Sequence, residues 1–273
     1  MMRLERLTPH IGARVTGIDL ATVGRGAREE LRAVLEAHLV LFFADQSMDV
    51  QAYKRFGEAM GELEVTPLLP SLGGGMEVVH FVEAMPNQPR GTFADRWHTD
   101  VPFRERPPYG SILRPEILPP LGGDTLWASM YAAYEALPDS LRRLADELEA
   151  VHAVARPQGA EWFVHPVVRV NPVTGRRGLY VNRMYTQNIV GLGQAESSKL
   201  LDLFYSHLAL PDFQVRFRWS MDVIAIWDNR FTQHYAVADY RDRRRMLRMT
   251  MTGDRPIGPR DWRPTASPVV ALP

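Results

Sequence analysis

The chain predicts a mainly β fold with flanking helices, in which a jelly-roll core carries its helices on one side. Three observations predict it. Helical periodicity gathers in the first half, period-two alternation takes over in the second, and 273 residues run without an internal repeat or a convincing linker. Helices early and antiparallel strands late are the signature of a layered arrangement in which helices cover a β core. The length is enough to bury a large core in one unit, so a single domain over residues 1–273 is expected.

Each element follows from its own pattern. Arg28 to Val40 sets Leu31, Val34, Leu35 and Leu39 at helical spacing, and Val50 to Met60 repeats this with Val50, Tyr53, Phe56 and Met60. Between them, Val40-Leu41-Phe42-Phe43 reads as a short buried strand. Ser129 to Leu137 and Asp139 to Ala150 read as two helical pieces separated by Pro138, a residue suited to a first helical position. Gln194 to Leu208 is a further amphipathic helix. Gln214 to Trp219 then alternates Val215, Phe217 and Trp219 with Arg216 and Arg218, and Asp222 to Trp227 follows a tight turn. From Pro256 onward the chain is Pro-rich, and 256–273 is expected to be a loose tail.

Composition narrows the function classes. A net charge of zero recommends neither a nucleic-acid nor a membrane-surface role. The arginines at 241, 243, 244 and 245 lack interleaved aromatics, so a nucleic-acid patch is a poor reading of them. With no cysteine there is no disulfide framework and no thiolate metal site, which leaves imidazole and carboxylate as metal ligands. No apolar run approaches transmembrane length, and Met1 to Arg6 lacks the apolar region of a signal peptide, so a cytoplasmic location is expected.

The chemistry concentrates in two distant blocks. In Trp97-His98-Thr99-Asp100, a His-x-Asp pair on an extended segment points both side chains to one face. In Ile226-Trp227-Asp228-Asn229-Arg230-Phe231-Thr232-Gln233-His234, His234 offers a third ligand. Two histidines and one carboxylate form the facial triad of non-haem Fe(II) oxygenases, which leaves open positions on the metal. Further on, a strand over 244–250 would put Arg244, Met246, Arg248 and Thr250 on one face, giving two arginines for two anions.

These blocks resemble the taurine dioxygenase family of Fe(II)/2-oxoglutarate-dependent enzymes. Further blocks in the same order carry the resemblance: Gly122-Gly123-Asp124-Thr125-Leu126-Trp127, His165-Pro166-Val167-Val168-Arg169 and Leu179-Tyr180-Val181-Asn182. It extends from Thr16-Gly17-Ile18-Asp19-Leu20 to Gly253-Asp254-Arg255-Pro256. The resemblance implies a distorted double-stranded β-helix, with Fe(II), 2-oxoglutarate and O2 as cofactor and cosubstrates. It also implies a small anionic substrate and self-association into a homo-oligomer. Iron would be held by His98, Asp100 and His234, and 2-oxoglutarate by Thr125 and Arg244.

The choice of Arg244 rests on counting back from Gly253-Asp254, because counting forward from His234 favours Arg245 and puts Met249 in place of the second arginine. Loops absorb deletions more readily than strands, so the backward count is preferred. By resemblance Arg248 then binds the substrate anion. Where the family has a sulfonate-binding histidine and a pocket tyrosine, this chain has Thr66 and Leu69, and Ala94 replaces an asparagine. An anionic head on a more apolar body is implied, and taurine is disfavoured. In these positions the chain is more like aryloxyalkanoate dioxygenases and alkylsulfatases. Val101, Phe103 and Tyr185 are expected to line the rest of the pocket, and Gly73-Gly74-Gly75 to border its mouth. The other six histidines read as structural or surface residues. Between Val151-His152 and His165-Pro166 the chain is shorter than its relatives, which implies an open pocket, a bulkier substrate or closure by another subunit. Asp100, kept where halogenating relatives have a small residue, points to hydroxylation.

Overall fold

The structure, a computed structural model, describes residues 2–66, 69–87, 94–157 and 159–263. In chain order the elements are β1 (Arg3–Arg6), β2 (Ala13–Thr16), α1 (Arg28–His38), β3 (Val40–Phe43), α2 (Val50–Met60), β4 (His80–Ala84) and β5 (Gly110–Ile117). Next come β6 (Thr125–Ser129), α3 (Met130–Glu135), α4 (Asp139–Asp146), β7 (Glu149–Arg156), β8 (Gly159–Pro166), β9 (Val168–Val170) and β10 (Arg177–Leu179). The chain continues through β11 (Thr186–Ile189), α5 (Gln194–Leu208), β12 (Gln214–Phe217), β13 (Ile224–Asp228), β14 (Thr232–Ala236) and β15 (Arg244–Met251).

Two sheets make the jelly roll. The larger has the order β1-β2-β3-β13-β5-β15-β4, and the smaller β12-β6-β14. Aromatic side chains fill the space between them. Phe42 of β3 stacks on Phe217 of β12 at 3.8 Å and meets Trp127 of β6 edge-on at 5.3 Å. Trp127 in turn meets Trp227 of β13 at 5.8 Å. Removing any of these buried rings would cost roughly 3–5 kcal/mol.

The outer face of the large sheet is buried as well. Leu31 and Leu35 of α1, with Tyr53, Phe56 and Met60 of α2, pack on Phe43, Ile226, Leu247 and Met249. Alternation therefore sends Phe42, Trp227 and Met246 inward, and Phe43, Ile226 and Leu247 toward the helices. This explains why Val40-Leu41-Phe42-Phe43 is apolar throughout: water reaches neither face. α2 begins at Asp49, whose carboxylate accepts the Ala52 N–H at 2.7 Å, a cap that satisfies an otherwise orphaned donor.

Several local expectations shift. Pro138 precedes α4 as its N-cap rather than occupying its first turn, and α4 stops at Asp146, so Glu149 and Ala150 already belong to β7. The short segment from Val151 to Pro166 is a β7–β8 hairpin, in register from Glu149↔Pro166 to Arg156↔Gly159. The stretch 256–263 is packed rather than loose: the Val170 N–H donates to the Ile257 carbonyl, and the Trp262 ring lies against Gly175. Residues 264–273 lie outside the described residues. Among the described residues no helix is long and apolar enough to cross a membrane.

Candidate active site

The turn between β13 and β14 builds the site by gripping a distant segment. Asp228 accepts the Arg230 main-chain N–H at 2.8 Å and two guanidinium donors at 3.1 and 2.8 Å, which closes the turn. Asn229 then clamps residue 100. Its Oδ1 accepts the Asp100 N–H at 2.9 Å and its Nδ2 donates to the Asp100 carbonyl at 3.1 Å. His98 and His234 exchange main-chain hydrogen bonds of 3.1 and 2.9 Å. Directly opposed residues of an antiparallel pair share a face, and the two imidazole centroids lie 4.0 Å apart. The extended segment expected around His98 is thus one β-bridge, aligned by Asn229 rather than by a full strand.

Three ligand-type atoms converge there. Asp100 Oδ1 lies 3.8 Å from His98 Nε2 and 3.6 Å from His234 Nε2. Two donors sharing an ion at bonds of about 2.1 Å can be no more than about 4.2 Å apart, so both edges fit a single metal ion. The second carboxylate oxygen is engaged elsewhere: Arg248 Nη2 reaches Oδ2 at 2.6 Å and the Ser111 hydroxyl donates to it at 3.1 Å. Asp100 therefore presents one free oxygen. His98 Nδ1 donates to the Arg96 carbonyl at 2.7 Å, which leaves the Nε2 lone pair for an ion.

Protonation states agree with this. Burial pushes the His98 pKa down, and burial followed by the neighbouring His98 pushes that of His234 well down. Burial alone would raise the Asp100 pKa, but Arg248, His234, His98 and the Ser111 hydrogen bond outweigh it and hold it at about 2. Two neutral imidazoles and one ionised carboxylate, all buried, are the charge state a divalent cation requires of its ligands.

The triad opens onto a cavity of about 730 Å³, its mouth included, lying between the two sheets. One end is built on strands. Thr125 starts β6 and Arg244 starts β15; both are buried and both line the cavity. Arg244 Nε donates to the Gly123 carbonyl at 3.2 Å. Gly122 and Gly123 have φ of +83° and +75°, where a side chain would be strained, and a Cβ on Gly122 would sit 2.6 Å from Asp239 Oδ1. The pair is turn geometry that delivers a carbonyl to Arg244. Arg245 points the other way, to Glu116 at 2.8 Å, and Met249 belongs to the core beneath the helices.

The other end is built on loops. Thr66, Leu69, Ala94, Val101 and Tyr185 line the cavity, and Arg248 enters from the strand face. Phe103 is a correction. Val101 has a left-handed φ of 51°, which turns the chain away, and Phe103 packs behind Tyr185 at 5.3 Å without reaching the cavity. Gly73 to Gly75 form a left-handed turn and do not line it either. Pro67 and Leu68 lie outside the described residues.

Several contributors escaped sequence reasoning. Ser111, Val82 and Leu113 carry no local signal of a site, and Asn229, Trp127 and Trp227, though inside the motif blocks, were given no role there. His80, one of the histidines read as structural, has a specific task. Its Nε2 accepts the Thr66 N–H at 3.1 Å and its Nδ1 donates to the Leu69 carbonyl at 3.2 Å, so one buried ring clips both pocket-lining ends of a loop. His165 similarly donates Nε2–H to the Arg104 carbonyl at 2.8 Å, bracing the turn that follows Val101.

Comparison with known proteins agrees with this geometry. Residues 3–250 match the family model for taurine catabolism dioxygenase TauD, TfdA family. An alpha-ketoglutarate-dependent sulfate ester dioxygenase of Pseudomonas putida is 37% identical, with 91% of this chain and 88% of that protein covered. An alkylsulfatase of Acinetobacter baylyi is 34% identical over 93% and 86%. A crystal structure of a taurine dioxygenase from Burkholderia xenovorans superposes with a TM-score of 0.86 at 36% identity, covering 95% of this chain and 92% of that one.

Proposed function

The chain belongs to the TauD, TfdA family of dioxygenases, and from that premise we propose that it hydroxylates a small organic anion bearing a sulfate ester or sulfonate head on a body more apolar than taurine. It is a 2-oxoglutarate-dependent dioxygenase that uses Fe(II) and O2. His98, Asp100 and His234 would hold the iron, and Arg244 with Thr125 would hold the far carboxylate of 2-oxoglutarate. The chemistry supplied by the loaded centre is insertion of one oxygen atom of O2 into a substrate C–H bond, coupled to conversion of 2-oxoglutarate to succinate and CO2.

One observation carries the substrate reading. Arg248 lines the cavity beside the triad, its Nη2 is fastened to Asp100, and its Nε is buried with no hydrogen-bond partner among the described residues. An unpaired buried guanidinium donor is costly unless a ligand satisfies it, and an anionic oxygen is the suitable partner. The surrounding wall of Leu69, Val82, Ala94, Val101 and Leu113 offers an ammonium group nothing to bind. Asp100 holds Arg248 in place, and Arg248 would therefore set the head group at a fixed distance from the reacting centre. Hydroxylation of a carbon that carries a sulfate ester gives an adduct that collapses to an aldehyde and sulfate.

The test is an anaerobic titration of Fe(II) and 2-oxoglutarate into the metal-free protein, read by the weak visible charge-transfer band. Alkyl sulfates, alkylsulfonates, aryloxyalkanoates and taurine are then added, and succinate and sulfate are measured after admitting O2. A band shift and sulfate release with alkyl sulfates support the reading. A response to aryloxyalkanoates alone would move the substrate class to carboxylates, and absence of any band would overturn the oxygenase assignment.

A further inference from the structure

Thr125 does not stand alone at the strand-built end of the cavity. Behind it, on the side away from the cavity, lies Trp219, which follows β12 and does not line the pocket. The Trp219 indole N–H donates to Thr125 Oγ1 at 2.9 Å, and both residues are buried. The strand register holds the two together, since Phe217 is paired directly with Thr125. Edge-on packing of the indole against Phe217 at 5.6 Å, and its tilted contact with Trp127 at 6.2 Å, leave it little freedom to turn.

This contact has a direction. An indole N–H is a donor and never an acceptor, so Thr125 Oγ1 must accept from it. The threonine hydroxyl has one proton, and among the described residues no group accepts it. Arg244, facing the same space, is donor-only as well, and its Nε–H is already given to Gly123. The Thr125 proton and the Arg244 donors not already given to Gly123 or Tyr240 are thus left for the ligand.

We propose that Trp219 is a positioning residue for the cosubstrate, which commits the Thr125 proton to the cavity and makes Thr125 and Arg244 an all-donor cradle selective for an ionised carboxylate over a neutral amide. The proposal rests on the reading that the far end of 2-oxoglutarate occupies this cradle. Without the indole N–H, the threonine hydroxyl is free to rotate, donating to or accepting from whatever faces it. A carboxylate then loses an oriented donor, whereas an amide NH2 gains an acceptor.

The experiment uses Mn(II)-loaded protein, which binds without turnover, and calorimetric dissociation constants for 2-oxoglutarate and for its 5-amide, 2-oxoglutaramate. Trp219→Phe keeps a ring in place and removes only the N–H. It is expected to weaken 2-oxoglutarate about fivefold, the size of one net hydrogen bond, while changing 2-oxoglutaramate less than twofold. Thr125→Val should produce the same loss, and adding Trp219→Phe to it should produce no more. Equal affinity of Trp219→Phe and wild type for 2-oxoglutarate would overturn the proposal. So would an equal loss for both ligands, or additive losses in the double variant, since either means general distortion. If wild type fails to bind 2-oxoglutarate at all while still binding Mn(II), the cosubstrate reading falls and takes the proposal with it.

Discussion

The two ends of the cavity hold one arginine each, four residues apart on the same face of β15, and they are built on opposite principles. At one end Arg244 is buried against a backbone carbonyl and forms no salt bridge among the described residues, so its charge is unspent. At the other, Arg248 is tied to Asp100 at 2.6 Å and to the Ser111 hydroxyl at 3.2 Å, so its charge is half spent before any ligand arrives. The Arg244 end is walled by strand residues whose positions follow from sheet register. The Arg248 end is walled by loops that two buried neutral histidines, His80 and His165, pin in place. Identical side chains at i and i+4 of one strand can therefore serve an invariant ligand and a variable one. Rigid strands suit a cosubstrate that every turnover shares, and loops suit a substrate that differs between relatives.

The sharpest way to break this contrast is at Arg244. Arg244→Ala should raise the 2-oxoglutarate requirement by roughly 100-fold or more, because a buried charge-assisted contact is lost. Arg245→Ala, whose side chain pairs with Glu116 and does not line the cavity, should change it less than about threefold, as partly exposed ion pairs contribute little. Steady-state kinetics with 2-oxoglutarate varied decides it, and the reverse ordering would exchange the roles of the two arginines. Next is Arg248→Met, for which kcat/KM toward an anionic substrate should fall roughly 10- to 100-fold while the dissociation constant of 2-oxoglutarate in Mn(II)-loaded protein stays put. Loss of both would mean the ends are not independent.

Acid should weaken the loop-built end. Burial pushes the His152 pKa down to about 3 and the His165 pKa down to about 4, with His165 beside the former and Arg169 beside the latter adding to the effect. Below the ordinary histidine value of about 6.5 the unfolded chain binds these protons and the folded chain does not. Stability is thus fully present above that pH and falls as the pH drops toward the folded values, by up to about 1.4 kcal/mol per pH unit for each histidine. Urea denaturation at pH 7, 6 and 5 measures the slope, and a His165→Asn variant should flatten it. An unchanged slope would show that these rings titrate normally. The smallest expected effect is at His80. His80→Ala unclips Thr66 and Leu69 and should raise the substrate KM about three- to tenfold with the 2-oxoglutarate KM unmoved, in the same kinetic assay.

How legible each end was in the sequence follows the same division. Strand-borne residues announce themselves through period two: once β15 is recognised, Arg244, Met246 and Arg248 must share a face, and all three line the cavity. Phe103 misled because the left-handed turn at Val101 carries the chain away from the cavity, and nothing in the neighbouring residues marks that turn. His80 passed as structural because its partners are main-chain groups at 66 and 69, and a backbone N–H leaves no mark on a sequence. Ser111 and Trp219 were silent for a related reason, since each acts on a neighbour brought close only by the tertiary fold.

By itself the sequence brought out the candidate ligands His98, Asp100 and His234 through resemblance to a family, and the order of helices and strands and the shared face of Arg244 and Arg248 through short-range period. Tertiary structure decided which carboxylate oxygen of Asp100 is free, which way the Thr125 hydroxyl points and which loop ends wall the substrate. Those depend on hydrogen bonds between residues as far apart as Asp100 and Asn229, or Thr125 and Trp219. Such bonds have a direction and a length only after the sheets have closed around them, since that closure excludes the water that would otherwise satisfy each group separately.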